Sequence, residues 1–173
     1  MAPFPTPMID DLSRPFPQAL CGADWELLSD RVMGGASAGT LTREMVAGCP
    51  ANRLRGEVSL ANNGGFLQMA LDLDPSGAPV DCSGFSGIAI EVFGNGEDYG
   101  LHLRTAGLTR PWQSYRQGFR AGGEWRTIRL PFTGFEAHRT EQPFAPARLR
   151  RIGLAAIGHA FAADLAVASV SFY

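Results

Sequence analysis

Apolar and polar side chains alternate with a period of two residues in ten short segments of this chain. In one of them Leu67, Met69 and Leu71 alternate with Gln68 and Ala70. Successive side chains of a β-strand point to opposite faces, so the pattern indicates strands with one apolar face. No window of a dozen residues shows the 3.6-residue apolar repeat of an amphipathic helix. The predicted strands are 25–28, 39–45, 53–60, 67–73, 88–92, 99–104, 114–119, 125–130, 149–157 and 165–173.

The apolar faces of these strands require a second layer. Burial of one Leu, Ile or Val side chain contributes roughly 1.5–3 kcal/mol relative to exposure. A single sheet would leave its apolar face in water, so two stacked sheets are expected. Turn sequences such as Asp74-Pro75-Ser76-Gly77 and Gly122-Gly123 separate the strands. We predict an all-β sandwich of two antiparallel sheets, formed by residues 21–173 as a single domain.

Residues 1–20 form a proline-rich N-terminal extension. Because proline fixes φ and removes a backbone donor, we expect this extension to be extended along the surface, with a short helical turn at 8–12 as an option. It shows no secretory or organellar signal, which predicts a cytoplasmic location. The longest weakly polar stretch, 152–170, alternates like strands, so no membrane span is predicted.

The charge and cysteine patterns exclude several classes of function. The chain of 173 residues has a net charge of −2, which argues against a nucleic-acid partner. All 15 basic residues are arginine, so no lysine Schiff base or P-loop lysine is available. Cys21, Cys49 and Cys82 are few and widely spaced, which fits neither a disulfide framework nor a zinc site and favours a reducing compartment.

Two Gly-Gly pairs lie next to predicted strands, in Asp30-Arg31-Val32-Met33-Gly34-Gly35 and Asn62-Asn63-Gly64-Gly65-Phe66. Glycine reaches positive φ and allows another part of the chain to approach closely, so such pairs mark bends or close contacts. We expect a buried Asp30–Arg31 ion pair to hold the first bend. These residues are therefore predicted to be structural: Asp30, Arg31, Gly34, Gly35, Gly64 and Gly65.

Candidates for catalysis and metal binding are weak. None of the three histidines has metal-ligand spacing to another, and His102, the one candidate general base, lacks a nucleophile motif. Asp72 and Asp74 share a strand face and could ligate Ca²⁺, although Asp74 and Asp81 better fit turns. Gly94-Asn95-Gly96 is interpreted as a hairpin turn rather than a phosphate loop, because a strand follows it. No cofactor is predicted.

Aromatic and arginine side chains are interleaved between residues 104 and 116. Such groups stack on sugar rings, bind carboxylates or form protein interfaces. The alternative is that Tyr115 belongs to the core and the arginines are solvated. The predicted contact surface consists of Asn62, Asn63, Arg104, Trp112, Tyr115 and Arg116.

An ordered series of motifs runs across residues 25–173. The motifs are Trp25-x4-Asp30-Arg31-Val32-Met33-Gly34-Gly35-x-Ser37, Leu54-Arg55-Gly56-Glu57-Val58-Ser59-Leu60, Asn62-Asn63-Gly64-Gly65-Phe66, Asp81-x-Ser83-Gly84-Phe85-x-Gly87-Ile88, Gly94-Asn95-Gly96-x2-Tyr99, Tyr115-x3-Phe119, Glu124-Trp125, Leu130-Pro131-Phe132-x2-Phe135 and Arg151-Ile152-Gly153-Leu154. This series resembles the complex I intermediate-associated protein 30 family. The resemblance implies a galactose-binding-domain-like jelly roll and the role of an assembly factor, or chaperone, for NADH:ubiquinone oxidoreductase. Without a mitochondrial presequence, the chain resembles a bacterial stand-alone member.

Three hypotheses of function follow. The first is a non-catalytic domain that binds a protein partner, with respiratory-complex subunits as candidates. The second is a carbohydrate-binding module that uses Trp112 and Tyr115 as an aromatic platform. The third and weakest is an enzyme that acts on a small molecule through Asp30, Arg31 or His102.

Overall fold

The computed structural model describes residues 3–173, and most of this part of the chain is β-structure. Short 3₁₀ turns connect some strands, at Asp30–Met33, Ala61–Asn63, Phe132–Gly134 and Pro146–Arg148. The strands are β1 (Met8–Asp10), β2 (Glu26–Ser29), β3 (Ala38–Val46), β4 (Cys49–Val58), β5 (Phe66–Asp72), β6 (Gly87–Gly94), β7 (Glu97–Thr105), β8 (Ser114–Ala121), β9 (Arg126–Pro131), β10 (Glu136–His138), β11 (Leu149–Ile157) and β12 (Phe161–Phe172).

The strands form two sheets. The first sheet has the order β3-β4-β12-β6-β9, with β1 also paired to β12. The second sheet has the order β10-β8-β7-β11-β5-β2. Every strand pair is antiparallel. The sheets stack as a jelly-roll β-sandwich, which confirms the predicted fold class.

The core lies between the sheets and contains the residues that the two-residue alternation marks as apolar. On β5, Leu67, Met69 and Leu71 are fully buried, whereas Gln68 between them is partly exposed. The same strands therefore supply the core with one face and solvent with the other. Other fully buried core side chains are Leu54, Ile88, Ile90, Leu101, Leu103, Leu154 and Leu165.

The strand predictions differ from the structure at several strand ends, at two short strands and at one turn. β4 begins at Cys49 rather than at 53, because a tight turn with positive φ at Ala47 and Gly48 pairs Val46 with Cys49. β1 and β10 were not predicted, since three residues are too few to show a period. The hairpin predicted at 94–96 is wrong, because this turn carries the chain from β6 in the first sheet to β7 in the second.

The segment before β2 is integrated into the sandwich. Residues 8–10 form a strand, so the helical turn considered at 8–12 is wrong. Ile9 is fully buried in the core, unlike a segment that only lies along the surface. The buried carboxylate of Asp10 accepts hydrogen bonds from Leu12 N (3.0 Å), Leu20 N (3.1 Å) and Trp25 Nε1 (2.8 Å).

A second buried carboxylate, that of Asp30, connects the two Gly-Gly segments. It accepts hydrogen bonds from Ser37 N (2.9 Å), Ser37 Oγ, Gly65 N (2.5 Å) and Phe66 N (3.2 Å). Burial raises the pKa of Asp30, but these hydrogen bonds lower it by more, so the pKa lies below its ordinary value. Stability contributed by Asp30 is therefore present above about pH 4 and is lost as the pH falls through the native pKa.

Glycine is required where the chain passes this carboxylate. A Cβ added at Gly35 would lie 2.5 Å from Asp30 Cγ, and one at Gly64 would lie 2.6 Å from Asp30 Oδ2.

The expected Asp30–Arg31 ion pair does not form, because the Asp30 carboxylate is already surrounded by Ser37 and backbone N–H groups. Arg31 Nε instead donates to the carbonyl of Ser37 (3.0 Å).

None of the helices in residues 3–173 is long and apolar enough to cross a membrane.

We expect Asp10→Ala to lower the free energy of unfolding by about 2–4 kcal/mol, because three donors, two of them backbone amides, would lose a buried acceptor. Equilibrium urea unfolding at pH 7 measures this change. Asp11→Ala is the matched control, since Asp11 is exposed and accepts only a local hydrogen bond from Ser13 N. Equal effects of both substitutions would contradict an anchoring role for Asp10.

We expect Asp30→Asn to destabilise the protein by about 2–4 kcal/mol, since the amide would present a donor to backbone N–H groups that now share the carboxylate. Asp24→Asn makes the same chemical change at an exposed position, and its effect should stay within about 0.5 kcal/mol. A neutral Asp30→Asn variant in urea unfolding would show that the carboxylate does not hold the two segments together.

Candidate ligand-binding groove

The outer face of the second sheet forms the floor of a groove with a volume of about 940 Å³. Strand register explains which side chains reach it. His102 on β7 lies opposite Arg116 on β8 and Gly153 on β11, while Arg104 lies opposite Arg151. On β7, His102 and Arg104 alternate with the buried Leu101 and Leu103, so they project away from the core, as do the residues opposite them on β8 and β11.

Small residues on β11 make room for the groove. Ala155 lines the groove, and two residues before it the Gln68 amide from β5 extends across Gly153 so closely that any Cβ there would overlap it. A larger residue at 153 would therefore displace Gln68 and fill the floor.

Exposed apolar side chains line two sides of the groove. Beside β2 and β5, the turn at 30–33 presents Val32 and Met33, which are 79% and 63% exposed, and Leu60, which precedes the turn at 61–63, is 53% exposed. On the other side, the β7–β8 loop presents Trp112, which is 53% exposed and has the Arg110 guanidinium 5.9 Å from its ring centroid. Scattered exposed apolar residues are ordinary, but a group of them around one groove is a common feature of binding surfaces, which makes this groove the candidate site.

Two arginines of the floor carry charges that the protein does not neutralise. Arg104 NH1 donates to the carbonyls of Arg110 (2.9 Å), Pro111 (3.2 Å) and Gln113 (2.6 Å) and so holds the β7–β8 loop. Arg116 Nε donates to Ser114 Oγ (2.8 Å). Within residues 3–173, neither guanidinium has a carboxylate within 4.0 Å.

The environment of these two cations is unfavourable for positive charge. Burial, followed by the neighbouring Arg150 and Arg151, lowers the pKa of Arg104, while burial and Arg139 lower the pKa of Arg116. Arginine still remains protonated at neutral pH. By contrast, Arg151 is paired with Asp72 (2.8 Å) and Glu26 (3.1 Å).

His102 is almost completely buried beneath these arginines. Burial, Arg116 and His138 lower the pKa of His102 to about 3, so its imidazole is neutral near pH 7. An imidazole with this pKa accepts protons poorly at neutral pH, which makes it unsuitable as a general base. Asp30 is enclosed by its loops, and neither Asp30 nor Arg31 lines the groove, so the residues of the enzyme hypothesis do not converge.

The structure brings together four of the six residues proposed as a contact surface. Asn63, Arg104, Trp112 and Arg116 all line the groove. Asn62 lies on the neighbouring 3₁₀ turn but does not line it. Other lining residues were missed because their positions depend on loops and on strand order, including Val32, Met33, Leu60, Gln68, His138, Arg139 and Arg151.

Tyr115 does not belong to the contact surface proposed from the sequence. It belongs to the buried core, and its hydroxyl donates to the carbonyl of Gln142 (3.0 Å) or Pro143 (3.3 Å). Adjacent residues of a strand point to opposite faces, so Tyr115 and Arg116 cannot both face the groove.

The aspartates considered as calcium ligands have other partners. Asp72 pairs with Arg151, whereas Asp74 and Asp81 accept hydrogen bonds from Ser76 and Ser83 in local turns. In the described part of the chain, no three His, Cys, Asp or Glu residues are grouped to hold a metal ion.

We expect stability to fall by about 2 kcal/mol between pH 7.5 and 5.0 through His102 alone. Its native pKa lies below the ordinary value of 6.5, so the unfolded chain binds more protons as the pH falls from 6.5 towards 3. Urea unfolding at both pH values measures this loss, and His102→Gln should remove most of it. An unchanged pH dependence in the variant would contradict a buried neutral His102.

Several solved structures share this fold. The family 11 carbohydrate-binding module from Clostridium thermocellum, in complex with a β-1,3-1,4-mixed-linked tetrasaccharide, has a TM-score of 0.73 at 13% identity, covering 96% of this chain and 94% of that chain. A family 30 carbohydrate-binding module of a cellulosomal cellulase from the same organism has a TM-score of 0.60 at 15% identity, covering 80% and 90%. An exo-β-agarase has a TM-score of 0.61 at 10% identity, covering 97% of this chain but 25% of that chain.

At these identities the likeness establishes the fold and nothing more. No curated protein matches the sequence. A family model described as "Complex I intermediate-associated protein 30 (CIA30)" matches residues 16–166. This match confirms the resemblance noted from the motifs, and the chain belongs to the complex I intermediate-associated protein 30 family.

Proposed function

We propose that this protein is a non-catalytic binding domain that docks a protein partner in the groove of the second sheet. The observation that carries the proposal is the concentration of exposed apolar side chains around that groove. Val32, Met33 and Leu60 lie on one side and Trp112 on the other, and all four would lose contact with water on docking.

The composition of the groove supports a protein partner. Protein interfaces are enriched in aromatic residues, methionine and arginine, and their strongest contacts are often Trp, Tyr and Arg. Met33, Trp112, Arg104 and Arg116 supply these types within one groove. Methionine is also flexible enough to pack against different partner side chains.

The family supports a particular class of partner. Its description names association with intermediates of complex I, so respiratory-complex subunits are the proposed partners and an assembly or chaperone role is the proposed activity. The three cysteines are free thiols, which suits a reducing compartment, and we propose the cytoplasm of a bacterial cell.

Carbohydrate binding is the second candidate. It is favoured by the exposed Trp112 ring and by the carbohydrate-binding modules that share the fold. The groove offers it less support, because Trp112 is the one strongly exposed aromatic side chain among the described lining residues. Sugar hydroxyls both donate and accept hydrogen bonds, whereas the charged groups of this floor are donors.

The test compares two exposed methionines. Met33→Asp places a charge beside the groove, whereas Met45→Asp places one on β3 of the first sheet, and the two side chains are 63% and 64% exposed. Tagged variants are used for affinity capture from native lysate, followed by mass spectrometry. We expect wild type and Met45→Asp to enrich complex I subunits and Met33→Asp to recover at least about tenfold less.

The captured subunit is then purified and titrated against the same variants by calorimetry, with a glycan array run in parallel. Equal affinity of Met33→Asp and Met45→Asp would rule out docking in the groove. Glycan binding that is lost in Trp112→Ala, together with no direct protein binding, would favour the carbohydrate alternative.

A further inference from the structure

The charged side chains that line the groove are all positive, although the chain as a whole is slightly acidic. Its lining includes Arg104, Arg116, Arg139 and Arg151, and within the described residues it includes no Asp or Glu. The net charge of the whole chain is −2. Arg151 is paired with Asp72 and Glu26, so the positive charge on this surface without a carboxylate partner among the described residues is that of Arg104, Arg116 and Arg139. An anionic ligand would be favoured there over a neutral one.

Arg116 shows where an anion would bind. Its Nε donates to Ser114 Oγ, while its terminal nitrogens have no hydrogen-bond acceptor in residues 3–173. Glu136 lies opposite Arg116 in the β8–β10 pair but makes no ion pair with it within 4.0 Å. A half-buried guanidinium without a carboxylate partner is matched by a planar carboxylate that accepts two parallel hydrogen bonds.

Arg139 and Arg104 extend this positive region. Arg139 is close enough to Arg116 to lower the pKa of Arg116, and Arg151 similarly lowers the pKa of Arg104. A bound carboxylate would relieve the repulsion between such neighbouring cations, so each anion that enters gains from more than one arginine.

We propose that the occupant of the groove is an extended acidic peptide segment of the partner, with carboxylates against Arg116 and Arg139 and apolar side chains against Val32, Met33 and Leu60. This inference rests on the proposed function and names the chemistry of its ligand. An extended chain presents both kinds of side chain along one length, as the groove requires.

The apolar side of the groove favours a peptide over an anionic polysaccharide. Polysaccharides pack their sugar faces on flat aromatic rings, and here the exposed side chains beside β2 and β5 are aliphatic. Aliphatic and thioether groups instead pack against the side chains of Leu, Val, Met or Phe.

The test uses the full chain and a phage-displayed library of random dodecapeptides. We expect selected peptides to be enriched in Asp and Glu together with large apolar residues. The leading sequence, labelled with fluorescein, is titrated by fluorescence anisotropy beside a variant in which every Asp and Glu is replaced by Asn and Gln. The acidic peptide should bind at least about tenfold more tightly, and its affinity should fall as salt is raised.

Two arginines of the same strand provide the matched variants. Arg116→Gln should weaken the acidic peptide by about tenfold or more, since a charge-assisted pair is lost. Arg120→Gln removes an exposed arginine of β8 that does not line the groove and should leave the affinity within about twofold. Urea unfolding of both variants tests whether a loss of stability, rather than the loss of the charge, causes a weaker affinity.

The other outcomes separate this inference from the proposed function. Peptides that bind wild type but not Met33→Asp, with no acidic preference and no effect of Arg116→Gln, would overturn the acidic ligand and leave protein docking intact. Polygalacturonate binding that requires Arg116, with no peptide binding, would overturn the acidic peptide and favour the carbohydrate alternative. Failure of both probes to bind would overturn the acidic peptide, whereas docking of a protein partner is decided separately by the titration of the captured subunit against Met33→Asp and Met45→Asp.

Discussion

The Asp30 carboxylate is the interaction on which the geometry of the groove depends. It accepts hydrogen bonds from the backbone N–H groups of Ser37 and Gly65, which belong to two separate segments of the chain, and it does so where no side chain fits at positions 35 and 64. One of these segments presents Val32 and Met33, and the other follows Leu60. A single buried anion therefore sets the relative position of the aliphatic residues on one side of the groove, although it does not itself line the groove.

The six strands of the second sheet contribute to the core with one face and to the groove with the other. Leu101 and Leu103 on β7 are buried in the core, while His102 and Arg104 between and after them face the groove. Because alternate side chains lie on opposite faces of the sheet, a substitution in the groove need not disturb the packing of the core. On β11, Gly153 leaves room for the Gln68 amide, which lines the groove.

Much of the fold was predictable from local pattern, and much of the groove was not. Alternation located the long strands because burial of one face acts on each strand separately. The hairpin at 94–96 was mispredicted because the choice between turning within a sheet and crossing to the other depends on distant strands. Asp30 was recognised as structural, but its partner Ser37 lies seven residues away and no spacing rule selects it over Arg31. The sequence alone could have placed Tyr115 and Arg116 on opposite faces of the sheet, because they are adjacent residues of one strand. His138 could not be placed, since β10 reaches β8 only through the tertiary fold.

The burial of His102 beneath arginines has a consequence for the conditions under which the groove works. Guanidinium groups keep their proton throughout the physiological range, and an imidazole with a pKa of about 3 takes none up. The charge that the arginines and His102 give to the floor is thus fixed by the fold rather than by acidity. A compartment could acidify or become alkaline by a full unit and these groups would still carry the same charge.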